Sequence, residues 1–399
     1  MMISLHIMFY MKISPKAEKH LFDAGKYIQE YQYKSFLPNN INNIELSWHT
    51  PEVDLLLEDA TRLIGELNAY SMLIPDVDFF IKMHTYKEAT ASSAIEGTRT
   101  QFDEALLQED EIEPERRDDW TEVQNYTKAM NYAIGELDRL PLSMRLLNDT
   151  HRVLMSGVRG HHRGPGEIRR SQNWIGGATI KDAFFVPPSA ERVPDLLSDL
   201  EKFWHSEGAP IPHLIKIALS HYQFETIHPY LDGNGRIGRL LVTLYLVDKG
   251  LLKKPVLYLS DFFERNRSAY YDALTVVRTQ NDVEHWLRFF LVGVGQTANS
   301  SKKTFESIIK LRAESEQKAM FMGKRAKKAI ELLKWLYSNP ITNAKNIART
   351  MKISTQSAST LARLFEEAGI LREMTGYKRN RMFIFQRYVD IFTAPLNID

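Results

Sequence analysis

The stretch His228-Pro229-Tyr230-Leu231-Asp232-Gly233-Asn234-Gly235-Arg236-Ile237-Gly238-Arg239 constrains this chain more than any other. It gathers one His, one Asp, one Asn, two Arg and three Gly. Before it, His213 to Ile227 carries Leu214, Ile217, Ala218, Tyr222 and Phe224 at helical spacing. After it, Ile237 to Leu246 is apolar almost all round, as a buried helix is. The local fold is therefore two helices joined by a polar loop. Gly233 and Gly235 are expected to take backbone conformations closed to other residues. Successive amide N–H groups then converge into a nest with a helix N-terminus behind it, a site suited to anions. Arg236 and Arg239 stand three apart on that helix, so both side chains can face the same way. Such a loop is equipped to hold a polyphosphate.

A length of 399 residues suggests two or three domains with ample core. With 44% hydrophobic and 25% charged residues the composition is that of an ordinary globular chain. A net charge of +1 gives no bulk electrostatic case for nucleic acid or membrane. The absence of Cys removes disulfides, thiolate metal sites and Cys nucleophiles, and fits a cytoplasmic location. Residues 1–14 are expected to be a lead segment without order, with either Met1 or Met11 as the start. The apolar stretch Met1 to Tyr10 has no basic n-region and is too short to span a bilayer.

In chain order, residues 17–30 are read as a short amphipathic helix and 31–50 as loop. Pro51 to Tyr70 is a clear helix, with Val53, Leu56, Leu57, Ala60, Leu63, Ile64 and Leu67 on one side and Pro at its start. Helix is expected again from Pro75 to Glu88, ending in Ser92-Ser93-Ala94-Ile95-Glu96-Gly97. A Glu at a helix C-terminus opposes the helix dipole. Glu96 is then either a plain exposed helix end or a carboxylate placed to meet a cation elsewhere. The acidic group Glu109, Asp110, Glu111 and Glu113 is read as solvated, and His161 and His162 as surface residues without metal-ligand spacing. Asn173 to Gly177 and Phe184 to Val186 are β-prone runs around a polar turn, expected to form a hairpin stopped by Pro187-Pro188. Lys327 to Ile391 reads helix–helix–turn–helix–hairpin, a winged-helix order. Its third helix mixes Gln356, Arg363, Glu366 and Glu367, and its wing carries Lys378, Arg379 and Arg381. A protein-interaction module is favoured there over DNA binding.

Gly233 to Gly238 formally matches the dinucleotide fingerprint G-x-G-x-x-G. That fingerprint requires a preceding strand, and here a helix precedes it, so the match is a decoy. No G-x-x-x-x-G-K-[ST] and no protein-kinase signature set is present. Within the loop only His228 can remove a proton near neutral pH. Asp232 is a hard oxygen ligand suited to Mg²⁺ on phosphates, or a turn cap. The nest with Arg236 and Arg239 can clamp phosphates and stabilise a leaving group. Base, metal ligand and anion clamp together point to nucleotidyl or phosphoryl transfer.

At these twelve residues the chain resembles the Fic family, whose signature is HPFx[D/E]GNGRxxR, with Tyr230 standing for Phe. Ser92 to Gly97 resembles the family's inhibitory motif [S/T]xxxE[G/N], N-terminal to the core. Residues 167–188 resemble its target-docking flap. The resemblance implies a mainly α fold: a Fic helical core with a small β-hairpin flap, an N-terminal helical extension and a C-terminal winged helix. The expected divisions are an extension over 15–90 and a core over 91–300. That core would hold an inhibitory helix at 85–97, the flap at 167–188 and the catalytic loop at 228–239. A helical connector over 301–326 and a winged-helix domain over 327–399 complete the chain.

The reaction implied is transfer of AMP from ATP to a Ser, Thr or Tyr hydroxyl of a target protein and of the enzyme itself. In it His228 is the catalytic base and Asp232 holds Mg²⁺. Gly233, Asn234, Gly235 and Arg236 cradle phosphates, and Arg239 holds the γ-phosphate. Ile175, Gly176, Gly177 and Tyr271 are candidates for the adenosine side. Ser92 and Glu96 are inhibitory, Glu96 by pairing with Arg239. Two alternatives stand beside this reading: removal of AMP from a modified protein with Glu96 required, or a DNA-binding regulator with an ATP-sensing Fic domain. A Doc-type phosphotransferase is disfavoured because the Gly-Arg portion is intact. A homodimer is left open; no membrane partner is expected.

Overall fold

The structure, a computed structural model, describes residues 22–42, 48–73, 77–158, 162–206, 211–377 and 380–393. The lead segment, His161, Lys378 and Arg379 lie outside the described residues. Helices dominate, in keeping with a mainly α chain. No helix among the described residues is long and apolar enough to cross a membrane.

The first elements depart from expectation. Where the sequence suggested a helix and then a loop, Gly25–Gln29 (β1) and Lys34–Pro38 (β2) pair as an antiparallel hairpin. Only five residues per strand pair with each other, and their alternation is weak, so local pattern did not reveal them. Contacts distant in sequence hold the hairpin. The Asn281 carboxamide accepts from the Ala24 N–H at 2.6 Å, and the Asp199 carboxylate accepts from the Ile41 N–H at 2.6 Å. Phe36 N–H donates to the Val186 carbonyl at 2.9 Å, joining β2 to the flap.

The helices of the core follow: α1 (Pro51–Leu73), α2 (Val77–Ile95), α3 (Arg117–Glu136), α4 (Met144–Leu154), α5 (Val193–His205), α6 (His213–Ile227) and α7 (Asn234–Asp248). Then come α8 (Ser260–Arg265), α9 (Arg267–Gln280) and α10 (Val283–Met320). Every residue of α6 from Leu214 to Ile227 is buried, which explains why its apolar residues fill more than one face. Helix α7 is buried from Asn234 to Leu246 except at Gly235. These two helices pack against each other, and the loop between them is shorter than expected: only His228 to Gly233 connect them, and Asn234 to Arg239 already belong to α7. Full burial of each Leu or Ile here contributes about 1.5–3 kcal/mol. The long α10 lies along α1, where Arg288 meets Glu52 at 2.7 Å and Lys302 meets Glu66 at 2.8 Å. It runs without a break through residue 300, where a core-to-connector boundary was expected.

The flap is narrower than a full hairpin. Its pairing is antiparallel but limited to one bridge, Ile175 with Phe185, and a short 3-10 turn at Ile180–Asp182 lies between. Pro187 and Pro188 deny a longer ladder their amide hydrogens. Beyond α10, α11 (Ala326–Leu336), β3 (Ile341–Asn343), α12 (Ala344–Met351), α13 (Thr355–Glu367), β4 (Arg372–Glu373) and β5 (Met382–Ile384) follow. The strands form an antiparallel sheet in the order β3-β5-β4. Strand β3 and a last helix, α14 (Gln386–Thr393), were not anticipated from the sequence. Helix α14 turns back onto the core, where Tyr388 and Phe392 are buried.

Candidate active site

Helix α6 ends at His228 itself, which adopts a left-handed conformation with φ 51°. This position normally favours Gly, and a branched ring there costs about 1–2 kcal/mol. The neighbours that stabilise it are specific. Arg169, 3% exposed, donates from Nε to the His228 carbonyl at 2.9 Å, while its backbone N–H donates to the Pro229 carbonyl at 2.9 Å. Its Nη2 reaches the Pro188 and Ile227 carbonyls. Asn173 Nδ2 donates to the Tyr230 carbonyl at 2.8 Å. Burial lowers the Arg169 pKa to about 10, so it remains a cation at neutral pH. Sequence reading missed Arg169, because nothing in its spacing ties it to a loop 59 residues away.

His151 was missed in the same way. The Gly166 N–H donates to its Nδ1 at 2.8 Å, so Nε2 carries the proton and donates to the Asp232 carbonyl at 2.9 Å. Its ring stacks on Tyr230 at 3.9 Å and 6°. Burial lowers its pKa to about 4, consistent with that neutral tautomer.

His228 is neutral for a similar reason. Burial lowers its pKa to about 4, against the opposing pull of the Glu225 carbonyl and of Glu96. Its Nδ1 faces the Glu225 carbonyl at 3.4 Å. With Nδ1 as donor, Nε2 keeps its lone pair and can accept a proton.

Gly233 begins α7 at φ 75°, a conformation the sequence anticipated. Gly235 differs from expectation. It lies inside the helix with no positive φ, and what it supplies is space: a Cβ there would sit 2.3 Å from Glu96 Oε1. Asn234 is 2% exposed and its carboxamide is committed to the loop, accepting from Tyr230 N–H at 2.7 Å and donating to the Tyr230 carbonyl at 2.8 Å. Its backbone amide is among the first of α7, where orphan N–H groups favour an anion.

The two arginines are held unequally. Arg239 is 3% exposed and fully engaged: Nε donates to Ser92 Oγ at 2.9 Å, and Nη2 to the Ser92 carbonyl at 2.9 Å and to Glu96 Oε1 at 2.7 Å. Burial alone lowers its pKa, but Glu96 first, then Tyr270 and Glu225, raise it above the ordinary value. In the pair, burial raises the Glu96 pKa, yet the charge and hydrogen bond of Arg239, with Arg236 and His228 beyond, bring it below the usual range. The Glu96 side chain is 37% exposed against 1% for Arg239, so the carboxylate lies on the solvent side of its partner. Arg236 is 4% exposed, with Glu122 at 3.5 Å and Asp232 at 3.6 Å, and its Nε and Nη1 have no hydrogen-bond acceptor.

Asp232 accepts from the Gly233 N–H at 2.7 Å and keeps a 35% exposed side chain, with Arg163 at 3.8 Å. No group of three or more His, Cys, Asp or Glu side chains fit to hold a metal occurs among the described residues. One exposed carboxylate at the loop mouth suits a hard cation that brings most of its ligands as phosphate and water. Tyr271 on α9 is half-buried, and burial followed by Glu96 raises its pKa, which puts it within electrostatic reach of the Glu96–Arg239 pair. Ile175, Gly176 and Gly177 stand in the flap, which joins the loop two residues earlier through Asn173. Glu225, 7% exposed, is a further carboxyl beside Arg239, raised to about 7 by burial first.

Comparison with known proteins bears on this geometry. The chain is 26% identical over 235 residues to the protein adenylyltransferase Fic of Drosophila erecta, covering 58% of this chain and 42% of that relative. With its namesake in Drosophila virilis it shares 30% identity over 177 residues, covering 43% and 33%. The chain thus spans less than half the length of these curated relatives. Among solved structures, a Fic family protein from Desulfovibrio desulfuricans superposes with a TM-score of 0.53 at 20% identity, covering 84% of this chain and 96% of the other. A Fic domain containing signaling protein from Bacteroides thetaiotaomicron gives 0.51 at 20% identity, covering 62% and 98%. At such identities the likeness concerns the fold alone. Residues 55–135 match the family described as Fic/DOC family N-terminal, and residues 141–246 match the Fic/DOC family itself, up to and including the whole loop. The chain belongs to the Fic/DOC family.

Proposed function

We propose that this protein transfers AMP from ATP to a hydroxyl of a target protein and of itself, and that Glu96 restrains the reaction. The observation that carries the reading is the Glu96 carboxylate itself. It lies against Gly235 in the first turn of α7 and bonds Arg239 at 2.7 Å, where a phosphate anion would otherwise be held. The curated relatives bear the name protein adenylyltransferase, which supports the same reaction here.

In the proposed step the Ser, Thr or Tyr oxygen attacks the α-phosphorus. The new P–O bond forms as the α–β bridging P–O bond breaks, and pyrophosphate leaves. The hydroxyl proton passes to Nε2 of His228, which burial keeps neutral and able to accept it. The amides of Asn234 and Gly235 and the Arg236 donors that lack a hydrogen-bond acceptor take phosphate oxygens, while the Gly233 amide stays on Asp232 and its backbone sets the turn. Arg239 receives the γ-phosphate once Glu96 releases it, orienting the α-phosphate for in-line attack. Asp232 would hold Mg²⁺, which neutralises phosphate charge when bound. The flap residues Ile175 to Gly177 and Tyr271 form the adenosine side, and the flap receives the target segment.

Residues 327–393 form the winged-helix unit in this reading. DNA binding gains little there, since Arg381 pairs with Glu366 at 2.9 Å and Arg363 with Glu367 at 3.7 Å. A second enzymatic reading has one observation in its favour: Glu96 lies within electrostatic reach of His228 and so stands where it can orient a water for removal of AMP. Incubation with labelled ATP and Mg²⁺ tests the main reading. Wild type becomes labelled, and His228→Ala loses about 10²–10⁴-fold in rate, the usual worth of a positioned base. Equal labelling of both proteins would falsify the assignment of His228. AMP release from a pre-modified target, lost in Glu96→Gly, selects the second reading.

A further inference from the structure

His84, Glu88 and Ser92 are spaced by four residues along one stripe of α2, and Glu96 continues that spacing in the turn that closes the helix. Each is held by a different part of the molecule. Ser92 and Glu96 bind Arg239 of α7. Glu88, 3% exposed, accepts from the Ser260 N–H at 3.1 Å, from the Ser260 hydroxyl, and from the Tyr126 hydroxyl at 3.0 Å, fixing α2 to α8 and α3. His84, 6% exposed, lies between rings: Phe305 of α10 and Phe392 of α14, each 5.1 Å away. Phe392 also stacks on Phe102 at 6.1 Å, on the chain just past the Glu96 turn. One turn before His84, Phe80 meets Tyr337, the residue that caps α11, at 5.2 Å and Tyr388 of α14 at 6.2 Å. The C-terminal unit therefore grips the start of α2 and the segment after its end. Between these two grips the packing opens. A cavity of about 390 Å³ is lined by Lys87, Thr90 and Ala94 of α2 together with Phe102, Arg265 and Phe392. Phe392, itself buried, thus stands at the edge of an opening between α2 and α14 that reaches solvent.

We infer that Phe392 is a positioning residue for Glu96, and that the C-terminal unit, through α14, sets how firmly the Glu96 helix holds Arg239. The inference rests on the self-restrained reading of Glu96 proposed above. A rigid helix transmits the position of His84 to Glu96 three turns later, with Glu88 as the fulcrum. Loss of the Phe392 contacts lets α2 shift toward the cavity and weakens the grip on Arg239.

The test uses the full chain with Phe392→Leu and the harsher Phe392→Ala, each alone and combined with Glu96→Gly. Initial rates of labelled AMP incorporation are read as kcat/KM for ATP. Hydrogen exchange of the 92–97 amides in Phe392→Leu is followed in parallel. The expected result is a rise of about two- to thirtyfold for the Phe392 variants, the size of coupling carried through packed side chains. Faster exchange at 92–97 accompanies it, and no further rise occurs in the Glu96→Gly background. That non-additivity is a readout that plain destabilisation does not produce. Unchanged rates and exchange for Phe392→Leu, beside a raised Glu96→Gly rate, overturn the coupling and leave the restraint by Glu96 standing. An equal rise with and without Glu96 also overturns it. A Glu96→Gly rate no higher than wild type overturns both.

Discussion

Arg236 and Arg239 sit one turn apart on the same helix and are equally buried, at 4% and 3% exposure, yet their surroundings differ. Arg239 makes three hydrogen bonds of 2.7–2.9 Å to Ser92 and Glu96. Arg236 has its acidic neighbours at 3.5 and 3.6 Å and two donor atoms without an acceptor. Taking a guanidinium out of water is costly unless its donors are satisfied. Arg239 is thus a satisfied cation and Arg236 an incomplete one. In the proposed reaction the contrast separates two tasks that the loop's sequence leaves merged: a group that would bind phosphate, and a group already occupied by a carboxylate of the same chain.

The largest effect that sharpens this comparison comes from removing each arginine in turn. In a Glu96→Gly background, Arg236→Ala and Arg239→Ala are each expected to slow AMP transfer about 10²–10³-fold, the range for losing one charge-stabilising donor. In the wild-type background the two diverge. Arg236→Ala still lowers the rate, whereas Arg239→Ala has the smaller effect because its guanidinium is already taken by Glu96. Labelled AMP incorporation across the four proteins measures this. Equal losses in the wild-type background would break the distinction between a loosely paired and an occupied arginine.

A smaller effect separates the arginine pair from the histidines around it. His84, His151 and His221 are buried and His228 is part-buried, and desolvation holds all four neutral, with pKa values lowered to about 3, 4, 3 and 4. The unfolded chain takes up these protons near pH ~6.5, but the folded chain does so only near 3–4, so the unfolded state binds more protons between those limits. The histidines' share of the folding stability is therefore fully present above pH ~6.5 and falls as the pH drops toward 4, by up to about 1.4 kcal/mol per pH unit for each, with the raised Glu225 opposing it between about 4.5 and 7. Glu96 has a lowered pKa, so its share of stability persists until the pH falls through that lower value. Urea unfolding at stepped pH measures the slope. A flat profile between pH 7 and 4 would show that these histidines are not held neutral.

The same contrast marks what was legible in the sequence. The loop from His228 to Arg239 is contiguous, and its Gly, His, Asp and Arg declare their chemistry within twelve residues. Glu96 was legible for another reason: a Glu before Gly at a helix end is out of place against the dipole, and its cation lies 143 residues further on. Arg169, Asn173 and His151 left no such trace, since each serves the loop by bonding backbone carbonyls, which any sequence provides. The β1–β2 hairpin failed for a related reason: Asn281, Asp199 and Val186 hold it from far along the chain. Helix α14 was missed because eight residues give too short a period, and Phe80 and His84 supply the surface that buries it. Gly235 shows a misreading of cause. The residue was expected for its backbone freedom, and its place in the fold instead depends on the missing Cβ beside Glu96.

The central claim is that Glu96 occupies Arg239 at the expense of ATP. Rates of self-labelling by wild type and Glu96→Gly, compared across ATP concentrations with Mg²⁺ in excess, test it most directly. The account predicts a higher rate for Glu96→Gly at every concentration, with kcat/KM for ATP raised at least about tenfold, as removal of a competing charge-assisted contact worth about 1.5–3 kcal/mol requires. A Glu96→Gly rate equal to or below that of wild type would contradict it.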